Sequence, residues 1–453
     1  MPTTRLSALD ASFLEVESAT AHMHVGWAAT FTPPDDSPRP RFDDLLDHIA
    51  GRIARAPRYR QRLAPVPLGV HEPEWIDDPG FDPAAHIRRS DARALDALVG
   101  DVLSRPLDRD RPLWELWIAD ELADGRIGMV GKAHHCMVDG IAAVELSTLL
   151  LDPVPQADTP PSDGWRAGPE PAPTELLARG LADRAREQLD LVRTPLELAA
   201  SPRRLLELPS RVLRTLWAVG DAVVPAPAAT PFNEPSSPLR HLATLRRPLD
   251  DLRRVKARFG TTINDVVLAA CAGATRDFLL ARGREPMRLK TMVPVNVRNG
   301  DAGELGNRIS FMFVELPCSD PDPLMRLMDV HGQTAERKRE GVPEEGDAVM
   351  RAAGYMPQPI QRVLSHLIAS PRTFNLVVSN IPGPRIPLYL RGCRLEEAYP
   401  VVPLSERHAV SIGMTTVLDD ACFGLYADRA TLPDAGLLAE RLDAAIDELV
   451  DLV

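Results

Sequence analysis

The chain is poor in cysteine, carries no excess of positive charge and contains no long apolar run. Its five cysteines, at 136, 271, 318, 393 and 422, show no paired spacing. That excludes a disulfide framework and a C-x-x-C metal or redox motif, and it suits a reducing compartment. H-E-x-x-H is also missing, so no zinc-hydrolase signature is present. Acidic residues number 64 against 52 basic ones, a net charge of −12. General nucleic-acid binding, which wants a basic face, is therefore not expected. No stretch is long and apolar enough to span a bilayer, and the opening Met1-Pro2-Thr3-Thr4-Arg5 lacks the apolar core of a signal peptide. The expectation is a cytoplasmic protein with at most peripheral membrane contact.

What remains is a globular composition, 44% hydrophobic and 26% charged over 453 residues. That is enough chain for two or three domains. Residues 152–173 are studded with proline and read as an extended linker. Two apolar stripes at helical spacing follow. The first runs through Leu177, Leu181, Ala185, Leu189, Val192 and Leu196, and the second through Leu205, Leu208, Val212, Leu216, Val219 and Val223. Arg203, Arg204, Arg211 and Arg214 surround the second stripe. Such a helix suits a lipid interface, and equally suits packing against neighbouring domains. A further proline-rich segment, 225–238, closes the connector. The division expected is 1–152, a connector over 153–238, and 239–453.

One stretch carries chemistry: His134-His135-Cys136-Met137-Val138-Asp139-Gly140. Residues 126–133 alternate as a strand, and 141–151 have helical spacing, so the motif sits on a strand-to-helix turn. A side chain there can project from a sheet end into a cleft, and Gly140 can take a backbone shape that other residues resist. An imidazole, with an ordinary pKa near 6.5, can accept a proton from a hydroxyl or thiol at neutral pH. Asp139 can orient the ring, or pair with an arginine to hold the turn rigid; Arg298 is one candidate. The pattern should arise by chance in on the order of one chain per thousand of this length, which favours catalysis over a lone structural histidine. Cys136 could be a nucleophile, but an apolar setting suits a packing role better.

Around this motif, residues 23–31 read as a strand, 42–55 as a helix over the first sheet, and 112–118 as a strand. Asp124-Gly125 turns that last strand into the histidine strand as an antiparallel hairpin. Trp114 then lies beside the motif, as core or as a substrate wall. Glu15 is either an exposed loop residue or a carboxylate turned into a cleft. Further on, Asn264 or Asp265 could cap a helix opened by Thr261-Thr262. A strand ends at residues 293–298, another at 374–378, a hairpin joins 409–418 to 422–427 at Asp419-Asp420, and a helix closes the chain over about 433–452.

Several motifs stand in order: Leu6-Ser7-x-Leu9-Asp10 with Phe13-Leu14 and Glu15; Pro106-Leu107-Asp108 with Arg111-Pro112-Leu113-Trp114; the histidine motif; Asn264-Asp265-Val266-Val267-Leu268-Ala269; Pro294-Val295-Asn296-Val297-Arg298; Gly306-Asn307; and Ser379-Asn380-Ile381-Pro382-Gly383-Pro384. In this order, over nearly the whole chain, they resemble the bacterial wax ester synthase/acyl-CoA:diacylglycerol acyltransferase family. The resemblance implies two chloramphenicol-acetyltransferase-like α/β domains joined by a helical connector, with the active site in a tunnel between them. It implies that His135 is the general base and that Asp139 is structural. His134 would shape the site. Glu15, Trp114, Asn264, Asp265 and Arg298 match family positions around the tunnel, and Asn264 is the candidate oxyanion donor. Acyl-CoA would be a substrate, with diacylglycerol or a long-chain alcohol as acceptor, and no metal or resident cofactor would be needed. Two other classes remain in view. Condensation domains acting on carrier proteins share the histidine motif, and a lipid-binding or droplet-coating protein could carry a dead site.

Overall fold

The computed structural model describes residues 5–35, 38–53, 56–138, 149–156, 164–199, 226, 230–296, 309–339 and 358–453. Two six-stranded sheets dominate it, beside a small antiparallel pair, β2 (Gln61–Ala64) and β3 (Glu74–Asp77). The first has the order β11-β12-β1-β6-β5-β4. Its strands are β1 (His24–Thr32), β4 (Ile87–Arg89), β5 (Trp114–Ala119), β6 (Ile127–His134), β11 (Tyr389–Leu390) and β12 (Cys393–Val401). β5 and β6 form the expected hairpin. Gly125 takes a φ of +83° in its turn, and the Asp124 carboxylate accepts from the Arg126 amide at 3.0 Å. Every residue of β6 is buried, so the histidine motif hangs from the end of a core strand.

Alternation sorts the side chains of this sheet. Val25, Trp27, Ala29 and Phe31 share one face of β1 with Gly131 and Ala133 of β6 and Trp114 of β5, by the pairing register. Leu45, Ile49 and Ile53 of the Phe42–Ile53 helix are fully buried in the same core. The opposite face carries Lys132, His134 and His24. There the buried Lys132 ammonium donates to the carbonyls of Val102 and Arg105, each at 2.9 Å, and lies 3.2 Å from Glu115. Burial pushes its pKa down, and the three acceptors satisfy its donors. Val102 belongs to the Leu95–Leu103 helix, which packs between β6 and the start of the second sheet.

The second sheet has the order β7-β14-β13-β10-β8-β9. It contains β7 (Arg240–Pro248), β8 (Leu289–Asn296), β9 (Ile309–Leu316), β10 (Leu376–Ile381), β13 (Val410–Val417) and β14 (Asp420–Asp428). β10 runs parallel to both β8 and β13, and the remaining pairs are antiparallel. The apolar Ile263–Ala281 helix, buried along most of its length, packs against the Ala435–Val450 helix. Thr262 and Asp265 form a reciprocal capping box at its start.

The α/β fold with two sheet domains is therefore the one expected. The halves also interlock. β11 and β12 follow the connector in sequence, yet β12 pairs with β1 in the first sheet. Arg240 of β7 reaches back to the Thr20 carbonyl, and its amide bonds Ser104 Oγ at 2.8 Å.

The first connector stripe forms the Pro173–Ala199 helix. Its N-terminal part docks on the first domain through charge. Arg5 bridges Glu74 at 2.5 Å and Asp183 at 2.8 Å, and His71 Nε2 lies 3.2 Å from Glu187. The second stripe, with Arg203, Arg204, Arg211 and Arg214, lies outside the described residues. Among the described residues, no helix is long and apolar enough to cross a membrane.

Candidate active site

The site is built where β6 runs out. The His134 amide still bonds the Leu113 carbonyl at 2.9 Å, and the His135 amide bonds the Met23 carbonyl at 3.0 Å. The chain then turns, with Met137 N–H donating to the His134 carbonyl at 2.9 Å. The two histidines consequently part company. His134 points with its strand to the buried polar face, while His135 leaves the sheet end.

His135 stacks on Phe13, with ring centroids 3.8 Å apart and planes 11° from parallel. Phe13 comes from the Ala8–Glu15 helix, which Ser7 caps by accepting from the Asp10 amide at 3.0 Å. Burial pushes His135 down to about 4, and nearby His134 acts in the same direction. The ring is therefore neutral at pH 7, the form that accepts a proton.

His134 is held more tightly. Its Nδ1 accepts from the Cys136 amide at 3.1 Å, so the neutral ring carries its proton on Nε2. That nitrogen faces Glu17 Oε2 at 3.6 Å. Glu17 is also ion-paired with Arg109, which donates to the Leu14 carbonyl at 3.2 Å. Burial raises the Glu17 pKa, but hydrogen bonding and charge from His134 and Arg109 outweigh it and hold the carboxyl below its usual value. A carboxylate thus faces one histidine of the pair and favours a single tautomer. The sequence offered only a second glutamate two residues after Glu15, and nothing in local pattern ranked one above the other.

Glu15 itself faces elsewhere. It is ion-paired with Arg362 of the Gln358–Ile368 helix, tying that helix to the one bearing Phe13. Trp114 is 3% exposed. Its indole N–H donates to the Tyr59 carbonyl at 2.8 Å, and its ring stacks on His86 at 4.8 Å. Asn264 is half-buried in the first turn of its helix. Asp265 is buried and accepts from the Thr262 amide at 2.9 Å, His331 Nδ1 at 2.9 Å and Thr334 Oγ1 at 2.7 Å. Burial raises its pKa, yet these donors more than reverse the effect. Each of these contacts is internal to the second domain. Asp139, Gly140 and Arg298 lie outside the described residues. Cys136 is buried, and burial pushes its thiol well up, which leaves it a packing residue. Among the described residues, no group of three or more His, Cys, Asp or Glu side chains could hold a metal ion.

Two apolar cavities lie against the Trp114 face of the first sheet. The inner one has about 430 Å³, counting its mouth, and is lined by Val25, Ile49, Ile53, Tyr59 and Trp114. Ala133 and Val138, which bracket the histidine turn, also line it. The outer one has about 700 Å³, counting its mouth, and lies where Phe31 and Met129 meet Ile381, Pro384 and Thr415 of the second domain. Within the second domain, Gly383 lets its segment lie against β13, since a Cβ there would sit 1.8 Å from the Thr416 carbonyl oxygen. Trp114 is thus both a core residue and a cavity wall.

Residues 6–267 match the family described as wax ester synthase/diacylglycerol acyltransferase catalytic domain, and 305–450 match the corresponding C-terminal domain. A Mycobacterium tuberculosis protein named "Probable diacyglycerol O-acyltransferase tgs1" is 33% identical, covering 98% of this chain and 95% of that one. The solved wax ester synthase/diacylglycerol acyltransferase from Marinobacter aquaeolei VT8 superposes with a TM-score of 0.69 at 26% identity, over 98% of each chain. A trichothecene 15-O-acetyltransferase from Fusarium sporotrichioides shares the fold, with a TM-score of 0.67 at 12% identity over 99% of this chain and 94% of that one. With the neutral histidine, its partner pair and the cavities in place, these matches identify the chain as an acyltransferase belonging to the wax ester synthase/diacylglycerol acyltransferase family.

Proposed function

We propose that the protein transfers a long-chain acyl group from acyl-CoA to the free hydroxyl of diacylglycerol, giving triacylglycerol, with long-chain alcohols as second-rank acceptors. His135 takes the acceptor's proton as its oxygen attacks the thioester carbonyl. The carbon–sulfur bond breaks, and His135 returns the proton to the departing CoA thiolate. No covalent enzyme intermediate, metal or resident cofactor enters the scheme, and acyl-CoA is consumed as substrate.

The observation that carries this reading is a neutral imidazole held at the end of a core strand beside an apolar cavity. General-base chemistry needs the unprotonated ring, and a lipid chain needs a lining with few polar groups. Glu17 and His134 support the site from behind rather than transferring protons. Asn264 is the candidate donor to the oxyanion, and Asp139 the candidate anchor of the turn through an arginine such as Arg298. The acceptor ranking follows the relatives' names, which are those of diacylglycerol acyltransferases. A neutral-lipid acceptor also implies peripheral contact with a membrane or lipid droplet.

The test is CoA release from hexadecanoyl-CoA with diacylglycerol, with hexadecanol, and with neither. Release that depends on diacylglycerol, with triacylglycerol recovered, is expected. Release equal with and without any lipid acceptor would sink the acyl-transfer reading. Wax ester as the dominant product would reverse the ranking.

A further inference from the structure

Trp27 stands between the two cavities. Among the described residues, Gly26, Trp27 and Leu150 are those that line both. Of the three, only Trp27 presents a large side chain on the cavity face of β1. Its indole lies over Gly131, its register partner on β6. A Cβ on Gly131 would come within 2.9 Å of Trp27 Cε2 and 3.0 Å of Cζ2, so the glycine makes the room in which the ring sits. Trp27 is packed against the core but is only partly buried, unlike Val25, Ala29 and Phe31 beside it.

We propose that Trp27 is the partition that sets how long an acyl chain the enzyme accepts. The proposal rests on the acyltransferase reading above. An acyl chain whose thioester sits at His135 enters the inner cavity between Ala133 and Val138. It runs along Val25, Ile49 and Ile53 and meets the indole. Beyond the indole the outer cavity continues with apolar walls from both domains. Trp27 lines both spaces, so neither alone offers the length that the two would offer if joined. The residue is specificity-determining and takes no part in bond making.

The experiment compares kcat/KM for a saturated acyl-CoA series, from dodecanoyl to tetracosanoyl, with diacylglycerol held constant. Trp27→Ala joins the cavities, and the ratio of docosanoyl to hexadecanoyl activity should rise by on the order of ten-fold, the scale of a few methylenes gaining or losing apolar contact. Gly131→Ala drives the indole away from the strand and should shift the preference toward shorter chains. Should Trp27→Ala fail to fold, Trp27→Phe carries the same upward shift in smaller measure, with Gly131→Ala as its opposite. Folded variants whose chain-length profile coincides with wild type would overturn the partition while leaving acyl transfer intact. A wild-type enzyme that releases no CoA at any chain length would overturn the acyl-transfer reading instead.

Discussion

Asp265→Ala separates a structural role from a catalytic one at a position that the family motif marks as part of the site. The carboxylate is buried and accepts three hydrogen bonds, at 2.7, 2.9 and 2.9 Å. One is the reciprocal half of a helix cap, for which loss costs about 0.5–2 kcal/mol. The other two come from Thr334 and His331 on the Pro323–Arg339 helix, so the same side chain clamps two helices. Hydrogen bonds to a charged group are each worth about 1.5–3 kcal/mol, and removal leaves the buried Thr334 hydroxyl with only the His331 carbonyl, at 3.1 Å. Removal of one member of a buried charged network typically costs about 3–5 kcal/mol, less than the sum of the separate figures, because neighbours relax. Urea unfolding should show a loss of about 3–5 kcal/mol. The kcat of the folded fraction, measured at low temperature, should stay within about three-fold of wild type, since the partners of this carboxylate are Thr262, His331 and Thr334, all in the second domain. The carboxyl's lowered pKa sets the sign of its pH dependence. Its contribution is full above the unfolded-state value and is lost as pH falls through the folded one. An Asp265→Ala protein of wild-type stability with turnover lowered about 100-fold would refute this and return the residue to the active site.

His135→Ala should cost about 10² to 10⁴ in kcat while far-UV circular dichroism stays unchanged; turnover within about two-fold of wild type would remove the base assignment. Because burial takes His135 to about 4, the acid limb of kcat/KM should fall near pH 4, and a limb near 6.5 would show a solvated ring. Glu17→Gln keeps the shape but removes the charge between Arg109 and His134. It should lower kcat by on the order of ten-fold, short of the loss of the base itself, with KM little changed, and an unchanged kcat would detach Glu17 from the site. Burial also takes His48 and His408 to about 4. The unfolded chain, with histidine near 6.5, then binds more protons across that interval, so stability is full above about pH 6.5 and declines toward pH 4. A melting temperature that stays flat from pH 7 to pH 5 would contradict it.

The chain announced its elements more readily than its partners, and the reason is physical. Hydrophobic periodicity is a local signal, so β6, the Asp124-Gly125 hairpin, the helix opening after Thr261-Thr262 and the closing helix were all legible one element at a time. The cap of the helix after Thr261-Thr262 is Thr262, with Asp265 as the reciprocal partner, and not Asn264 or Asp265 as expected. Strand pairing is decided by burial among elements far apart in sequence. β12 reads as the property of the C-terminal half, yet it completes the first sheet against β1. The same distinction runs through the site. The histidine motif is a short-range pattern and located the turn. Which carboxylate serves it depends on how the Ala8–Glu15 helix ends. Glu15 is the last residue of that helix and pairs with Arg362, and the chain then bends so that Glu17 comes back beneath His134. Two residues of register along one segment separate a surface ion pair from a carboxylate facing the histidine pair, and periodicity cannot resolve two residues at a helix end. Trp114 shows the complementary case, where core and substrate wall stood as alternatives. A cavity inside a close-packed domain is bounded by core side chains, so the indole that bonds Tyr59 and stacks on His86 is also a surface a lipid chain would touch. If the acyl chain lies among these core residues, as proposed, packing and specificity act through the same atoms, and Trp27 is where that overlap should be easiest to measure.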